Sequence, residues 1–323
     1  MVPHFLSIIC KQPFDMNFQR YYRLSLWSLC LLVGFHQLAN AQSDSQATSP
    51  VVRLGTIKSP DINESSGLAY CGSKADAIWT INDSGNTNEL FLLATSGEQL
   101  GSVSLVGINN LDWETMTPAV VNGKRHLIVG DVGDNREKRR TVFLYLFPEP
   151  QWSTNQLEPE SVKPVKIEFR YPDGSHNCEA IAYEQKSNKL WLIEKRYVDD
   201  RRTSQPGVYE LTLPTKSTKE PITASRIGDF PVRNVTGMSF SPDGNRLIIR
   251  NYLNAHLFTS EEGKSWKEVL SSQKPKSVVL PIQRQGEAIC FTPDSKGVIV
   301  TSEFKRQPVG QINLESLQST SGD

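Results

Sequence analysis

Five stretches of the chain repeat one pattern of small, polar and apolar positions. Each opens on a small or acidic residue and then alternates small and apolar side chains. They are Ser66-Gly67-Leu68-Ala69-Tyr70, Glu114-Thr115-Met116-Thr117-Pro118, Glu179-Ala180-Ile181-Ala182-Tyr183, Thr236-Gly237-Met238-Ser239-Phe240 and Glu287-Ala288-Ile289-Cys290-Phe291. Alternation with a period of two predicts a β-strand. A turn signal and a second apolar run follow each. Ser241-Pro242-Asp243-Gly244 and Thr292-Pro293-Asp294-Ser295 are the clearest turns, because proline presets φ and Asp or Gly closes the bend.

The second runs cover residues 77–81, 126–129, 189–193, 246–249 and 298–301. Third strands are predicted at 90–94, 142–147, 208–213, 256–259 and 309–314, and fourth strands at 102–106, 166–171, 225–230 and 277–280. The fifth unit lacks a fourth strand of its own, and residues 51–57 have the composition to supply it. Four-stranded antiparallel units repeated around a ring predict an all-β fold, a five-bladed β-propeller over residues 51–315. Residues 51–57 would close it by pairing beside 309–314, removing the exposed edges. Two alternatives stay open: six blades with one degenerate, and two stacked β-sandwiches. No helical periodicity stands out after residue 50, and residues 150–164 and 214–221 read as hydrophilic loops.

Composition narrows the class. Of 323 residues, 38% are hydrophobic and 22% charged, which suits a packed domain and not a disordered chain. Thirty-five basic residues balance 35 acidic ones, so no overall field points to nucleic acid or an anionic membrane. At the start, Arg20 and Arg23 precede an apolar run at 24–35, and Ala39-Asn40-Ala41 follows as a small-x-small cleavage pattern. Residues 1–41 therefore read as a signal peptide, 42–50 as a polar linker and 316–323 as a polar tail. The apolar run falls short of the roughly 20 residues that span a bilayer. An uncleaved anchor is the alternative, and Met16 is a second candidate start. Export would put the protein in the periplasm or outside the cell, as a monomer with no membrane span. The leader holds three basic residues (Lys11, Arg20, Arg23) and one acid (Asp15), so the remainder carries a formal charge of −2. Its cysteines are Cys71, Cys178 and Cys290, an odd count without a CxxC pair, which argues against a disulfide framework and a zinc finger.

In a propeller the innermost strand of each blade lines the channel, and its start meets the end of the second strand at one face. That places Ser66, Glu114, Glu179, Thr236 and Glu287 in one ring. Asn82, Asp131, Glu194, Arg250 and Glu303 form a second ring, with Glu64, Asp83 and Asp112 beside them. Crowded carboxylates repel, and burial disfavours their charge. A hard cation relieves both problems. The candidate metal ligands are therefore Glu114, Glu179 and Glu287, with Asp131, Glu194 and Glu303 around them, and the expected ion is Ca²⁺. The alternative is that backbone amides or Arg250 satisfy these acids.

The loops that leave the second strands are basic: Arg136, Lys138, Arg139 and Arg140 after Asp131, Lys195 and Arg196 after Glu194, Lys305 and Arg306 after Glu303. An acidic mouth rimmed by cations suits a small anionic ligand, or a protein partner. For turnover, Glu179 is the candidate general base, His176 an acid or base three residues away, and Arg250 a group to steady developing charge. No Gly-x-Ser-x-Gly nucleophile elbow is present. Trp79 and Trp191 occupy equivalent second-strand positions and read as blade packing, while His126 and His256 begin strands and read as structural.

The blade starts carry a resemblance. Ser66-Gly67-Leu68-Ala69-Tyr70, Leu111-Asp112-Trp113-Glu114-Thr115, Glu179-Ala180-Ile181-Ala182-Tyr183 and Gly286-Glu287-Ala288-Ile289 resemble those of exported bacterial propellers. These are the SdiA-regulated proteins and the wider phytase-like, calcium-binding propeller group. Residues 79–86 and 129–135 extend the likeness over about 51–315. It implies an envelope or secreted location, a small propeller and a calcium site at the channel. Phytases of this type carry richer acidic and basic motifs, so the resemblance implies cation binding and not phytate hydrolysis. Two functions follow: a calcium-dependent ligand-binding or interaction module, and, as the alternative, a metal-dependent hydrolase of a phosphate or other ester.

Overall fold

A computed structural model describes residues 51–198 and 204–315. The leader, linker and tail expected at 1–41, 42–50 and 316–323 lie outside the described residues. The described residues form a five-bladed β-propeller. Blade 1 runs outward from Ser65–Tyr70 through Ala77–Asn82 and Glu89–Ala94 to Gln99–Leu105. Blade 2 runs from Trp113–Val121 through Lys124–Asp131 and Val142–Pro148 to Val165–Arg170. Blade 3 holds Cys178–Glu184, Lys189–Glu194, Gly207–Thr212 and Ser225–Asp229. Blade 4 holds Val235–Phe240, Arg246–Asn251, Asn254–Thr259 and Lys276–Val279.

Blade 5 holds Gly286–Phe291, Gly297–Ser302 and Pro308–Asn313, and its outer strand is Val51–Thr56. That strand pairs antiparallel, with Val52 opposite Gln311 and Thr56 opposite Pro308. The first strand of the fold thus closes the last blade, as the orphan run predicted. The innermost strands of the five blades neighbour one another in sequence order, and the fifth returns to the first.

Each interface between blades buries its own core. Trp79, Leu92 and Trp113 fill the junction of blades 1 and 2, and Phe169, Ile181 and Tyr209 that of blades 2 and 3. Trp191, Met238 and Phe258 lie between blades 3 and 4, Ile248 and Val300 between 4 and 5, and Leu68 and Ile299 between 5 and 1. Alternate residues of one strand therefore face two different neighbours, which is why both faces of the second strands are apolar. The repeated small residue has a steric cause. A Cβ on Gly67 would lie 2.7 Å from Met116 N, and one on Gly237 would lie 2.6 Å from Glu287 O.

The structure corrects the predicted secondary structure in two places. Residues 150–164 are not simple loop: Gln151–Ser153 pairs with Gln156–Glu158, and Ser161–Val162 adds a parallel edge strand to blade 1. A helix, Trp266–Ser272, also breaks the all-strand expectation. A capping box of Ser265 and Glu268 starts it, and Trp266 and Val269 bury its inner face against blades 3 and 4. Two buried positions are too few to show a helical period. No helix among the described residues is long and apolar enough to cross a membrane. Cys71, Cys178 and Cys290 are free thiols, all buried.

Candidate cation site at the channel mouth

Each innermost strand carries a β-bulge near its start. The register against the second strand slips between Ser65 and Gly67, Trp113 and Thr115, Cys178 and Ala180, Val235 and Gly237, and Gly286 and Ile289. Ser66, Glu114, Glu179, Thr236 and Glu287 fall at these slips. A bulge leaves one residue unpaired and re-aims its side chain. Here it brings carboxylate oxygens of Glu114, Glu179 and Glu287 within 4.8 Å of one another. All three residues are buried, at 2%, 3% and 2% exposure.

A second group overlaps the first, with oxygens of Asp83, Asp112 and Glu114 also within 4.8 Å. Asn110 ties it together, donating to Asn82 O (3.2 Å) and Asp83 O (2.9 Å) and accepting from Trp113 N (3.0 Å). Gly133 completes the cradle. A Cβ there would stand 2.4 Å from Glu114 Oε1 and 2.6 Å from Asp112 Oδ2.

The three glutamates differ in their partners. Glu287 accepts from Gln285 Nε2 (3.1 Å), Tyr252 OH (3.4 Å) and Ser66 Oγ (3.5 Å). Glu179 accepts from Asn177 Nδ2 (3.4 Å) and is in ion-pair contact with Lys195, whose ammonium also lies 3.7 Å from Glu287 Oε1. Among the described residues, the carboxylate of Glu114 has no hydrogen-bond or ion-pair partner.

Electrostatics follow from this crowding. Burial pushes Glu114 well above the usual carboxylate range, and Glu179, Asp83 and Glu287 add repulsion. Burial lifts Glu179 to about 8 despite the opposing charge of Lys195. Asp83 rises to about 7, chiefly through burial. Burial and a hydrogen bond to Glu287 lift Glu303 to about 10. Without a cation, the mouth retains protons that exposed carboxylates would have lost by neutral pH.

The second ring sits differently from the sequence alignment. The hairpin registers make Asn82, Asp131, Glu194, Asn251 and Ser302 equivalent, so Arg250 lies one residue before its predicted place and Glu303 one after. The next residues, Asp83, Lys195, Tyr252 and Glu303, are the ones that meet the triad.

Asp131 instead pairs with Arg139 (2.7 Å) and accepts from Tyr145 OH (3.2 Å), anchoring the 132–140 loop. Glu194 meets Arg196 (2.6 Å), Gly207 N (2.9 Å) and His176 Nδ1 (3.4 Å). Burial opposes its charge, but the bonds from His176, Gly207 and Arg196 outweigh it and bring Glu194 to about 2. His176 Nε2 contacts Asp173 and Tyr209 OH, both at 2.9 Å. Arg250 donates to Ala288 O (2.9 Å) and Gln283 Oε1 (3.1 Å), joining blades 4 and 5. Of the three candidate catalytic groups, only Glu179 lies in the triad.

Lys195 was legible only as a basic rim residue, yet it is 5% exposed and lies over the rings of Tyr252 (5.1 Å) and Tyr197 (5.4 Å). Its place after the last residue of a second strand was the available signal.

The fold and site define a class: a five-bladed propeller with a buried carboxylate triad at one channel mouth. No family model matches the chain, and no curated protein matches it. Among solved structures, it is similar to the hydrazine synthase of Kuenenia stuttgartiensis at a TM-score of 0.38 and 11% identity. That likeness covers 71% of this chain and 66% of the other, less than two thirds of its length, and extends to neither chemistry nor partner.

Proposed function

We propose that this protein is an exported propeller that binds a divalent cation, Ca²⁺, at the channel mouth and uses it to capture an anionic ligand. The observation that carries the reading is the Glu114 carboxylate. It is 2% exposed, grouped with two other glutamates and two aspartates, and without a partner among the described residues. A buried carboxylate left uncompensated is strongly unfavourable unless it is protonated or meets a cation.

The donor set fits calcium. Glu114, Glu179 and Glu287 offer only oxygen, and Asp83 and Asp112 extend the same oxygen-rich surface. No His or Cys belongs to either group, which favours a hard ion over zinc or copper. Three carboxylates against the one ammonium of Lys195 leave two negative charges for a divalent ion to balance. When bound, the cation would supply positive charge to attract a phosphate or carboxylate group.

The leader pattern supports export, and the blade-start resemblance to SdiA-regulated and phytase-like propellers supports calcium. Binding is preferred over turnover because His176 and Arg250 are held by Glu194, Tyr209, Ala288 and Gln283. Calorimetric titration of Ca²⁺ into metal-free protein tests the reading. One saturable site should appear, and Glu114→Gln should remove it. Identical heats for both proteins would refute it.

A further inference from the structure

The other end of the channel is also concave, with a different chemistry. A cavity of about 560 Å³ opens where the innermost strands finish. The fourth residue beyond each bulge lines it: Tyr70, Pro118, Tyr183, Phe240 and Phe291, one from every blade. Their common repeat position explains why four aromatic residues border one mouth. The volume falls within the roughly 300–1,000 Å³ typical of small-molecule sites.

The wall is fixed before any ligand arrives. Tyr70 OH accepts from Asp76 N (2.9 Å), and Tyr183 OH donates to Asn188 Oδ1 (2.8 Å), so both hydroxyls are tied to nearby turns. Phe240 packs edge-on against Trp266 at 5.2 Å and Trp191 at 6.3 Å. Arg125 is held by Glu149 Oε2 (2.6 Å) and donates to Tyr70 O (2.9 Å). A Cβ on Gly72 would stand 2.2 Å from Arg125 Nε, so glycine leaves room for that guanidinium.

The charges on the lining are unequal. With Arg125 paired to Glu149, Lys74 and Lys186 remain against one acid, Glu184, which already accepts from Ser187. Lys186 keeps only a long contact to Asn245 Oδ1 (3.5 Å). Aromatic walls under a cationic rim select a flat apolar body with a negative group at its edge.

We propose that this mouth is a binding site for an aromatic anion, its ring seated against the partly exposed Tyr70 and Phe240 and its charge met by Lys74 and Lys186. The site is independent of the cation site. Glu179 and Tyr183 lie four residues apart on one strand, about 13 Å at the strand rise.

The test is fluorescence titration of the native full chain with 8-anilinonaphthalene-1-sulfonate, compared with neutral N-phenyl-1-naphthylamine. The sulfonate should saturate one site and bind more tightly than the neutral probe. Lys74→Glu with Lys186→Glu should weaken the sulfonate at least tenfold and spare the neutral probe. Val120, 37% exposed on the lining, is the plug position, and Val120→Trp should abolish both. Ala75→Trp on the same rim replaces it if its near-ultraviolet circular dichroism departs from native. Glu179→Gln should leave both affinities unchanged, which separates this site from the cation reading. Lack of saturation, equal affinity for the two probes, or binding that survives the tryptophan plug would overturn the proposal.

Discussion

Nζ of Lys195 is in ion-pair contact with Oε2 of Glu179, and both side chains are 4% exposed. Burial opposes the charge of the lysine, but Glu179 and then Glu287 outweigh it and raise its pKa well above normal. The ammonium therefore stays charged and neutralises one carboxylate of the triad. It leaves Glu114 without a partner, which is the asymmetry on which the cation reading rests.

Removing that ammonium should expose the asymmetry. Breaking a buried ion pair from one side costs about 3–5 kcal/mol. Metal-free Lys195→Met should melt below the wild type, and Ca²⁺ should raise its melting temperature by more than it raises the wild type's. An equal calcium shift in the two proteins would show that lysine and cation do not share the carboxylates.

The acid cluster also fixes a pH dependence. Glu179, Asp83 and Glu303 have folded values of about 8, 7 and 10, above those of an unfolded chain. Between the unfolded and folded values the native state binds more protons, so stability falls as pH rises. In chelator, thermal stability should decline from pH 5.5 to 8.5. Saturating Ca²⁺ should reduce that slope, because binding displaces the retained protons.

Glu194 predicts the opposite slope in acid. Its folded value of about 2 lies below that of an unfolded glutamate, so its stabilisation is present above the unfolded value and lost as pH falls towards 2. Glu194→Gln should destabilise the fold by roughly 2 kcal/mol, the scale of hydrogen bonds to a charged group. Its calcium affinity should match the wild type in calorimetry, since Glu194 faces His176 and Arg196.

Ring closure can be tested by truncation. Without Val51–Thr56, the strand Pro308–Asn313 becomes an open edge. A chain starting after Ile57 should lose cooperative melting or aggregate. A monomer with an unchanged melting temperature would contradict the closure.

The blades were legible because alternation and turn chemistry recur five times. The triad was legible for the same reason, since Glu114, Glu179 and Glu287 share a repeat position. What the sequence did not disclose was that this position is a bulge. The second ring depended on phase: a shift of one residue sends a strand's side chain to the other face. Asp131 and Glu194 were aligned one residue early, which left Asp83 as a neighbour of the ring, Lys195 as a rim residue and Tyr252 out of view. Arg250 was a larger error of the same kind, two residues from Tyr252. The helix at Trp266–Ser272 left only its Ser265–Glu268 capping box as a sign.

The most direct measurement of the cation site is anomalous diffraction from crystals of the full chain soaked in Tb³⁺, which replaces Ca²⁺ at oxygen sites. A single strong anomalous peak within bonding distance of Glu114, Glu179 and Glu287, absent after Glu114→Gln, is the predicted result. Terbium found only elsewhere on the surface, with no density beside Glu114, would contradict it.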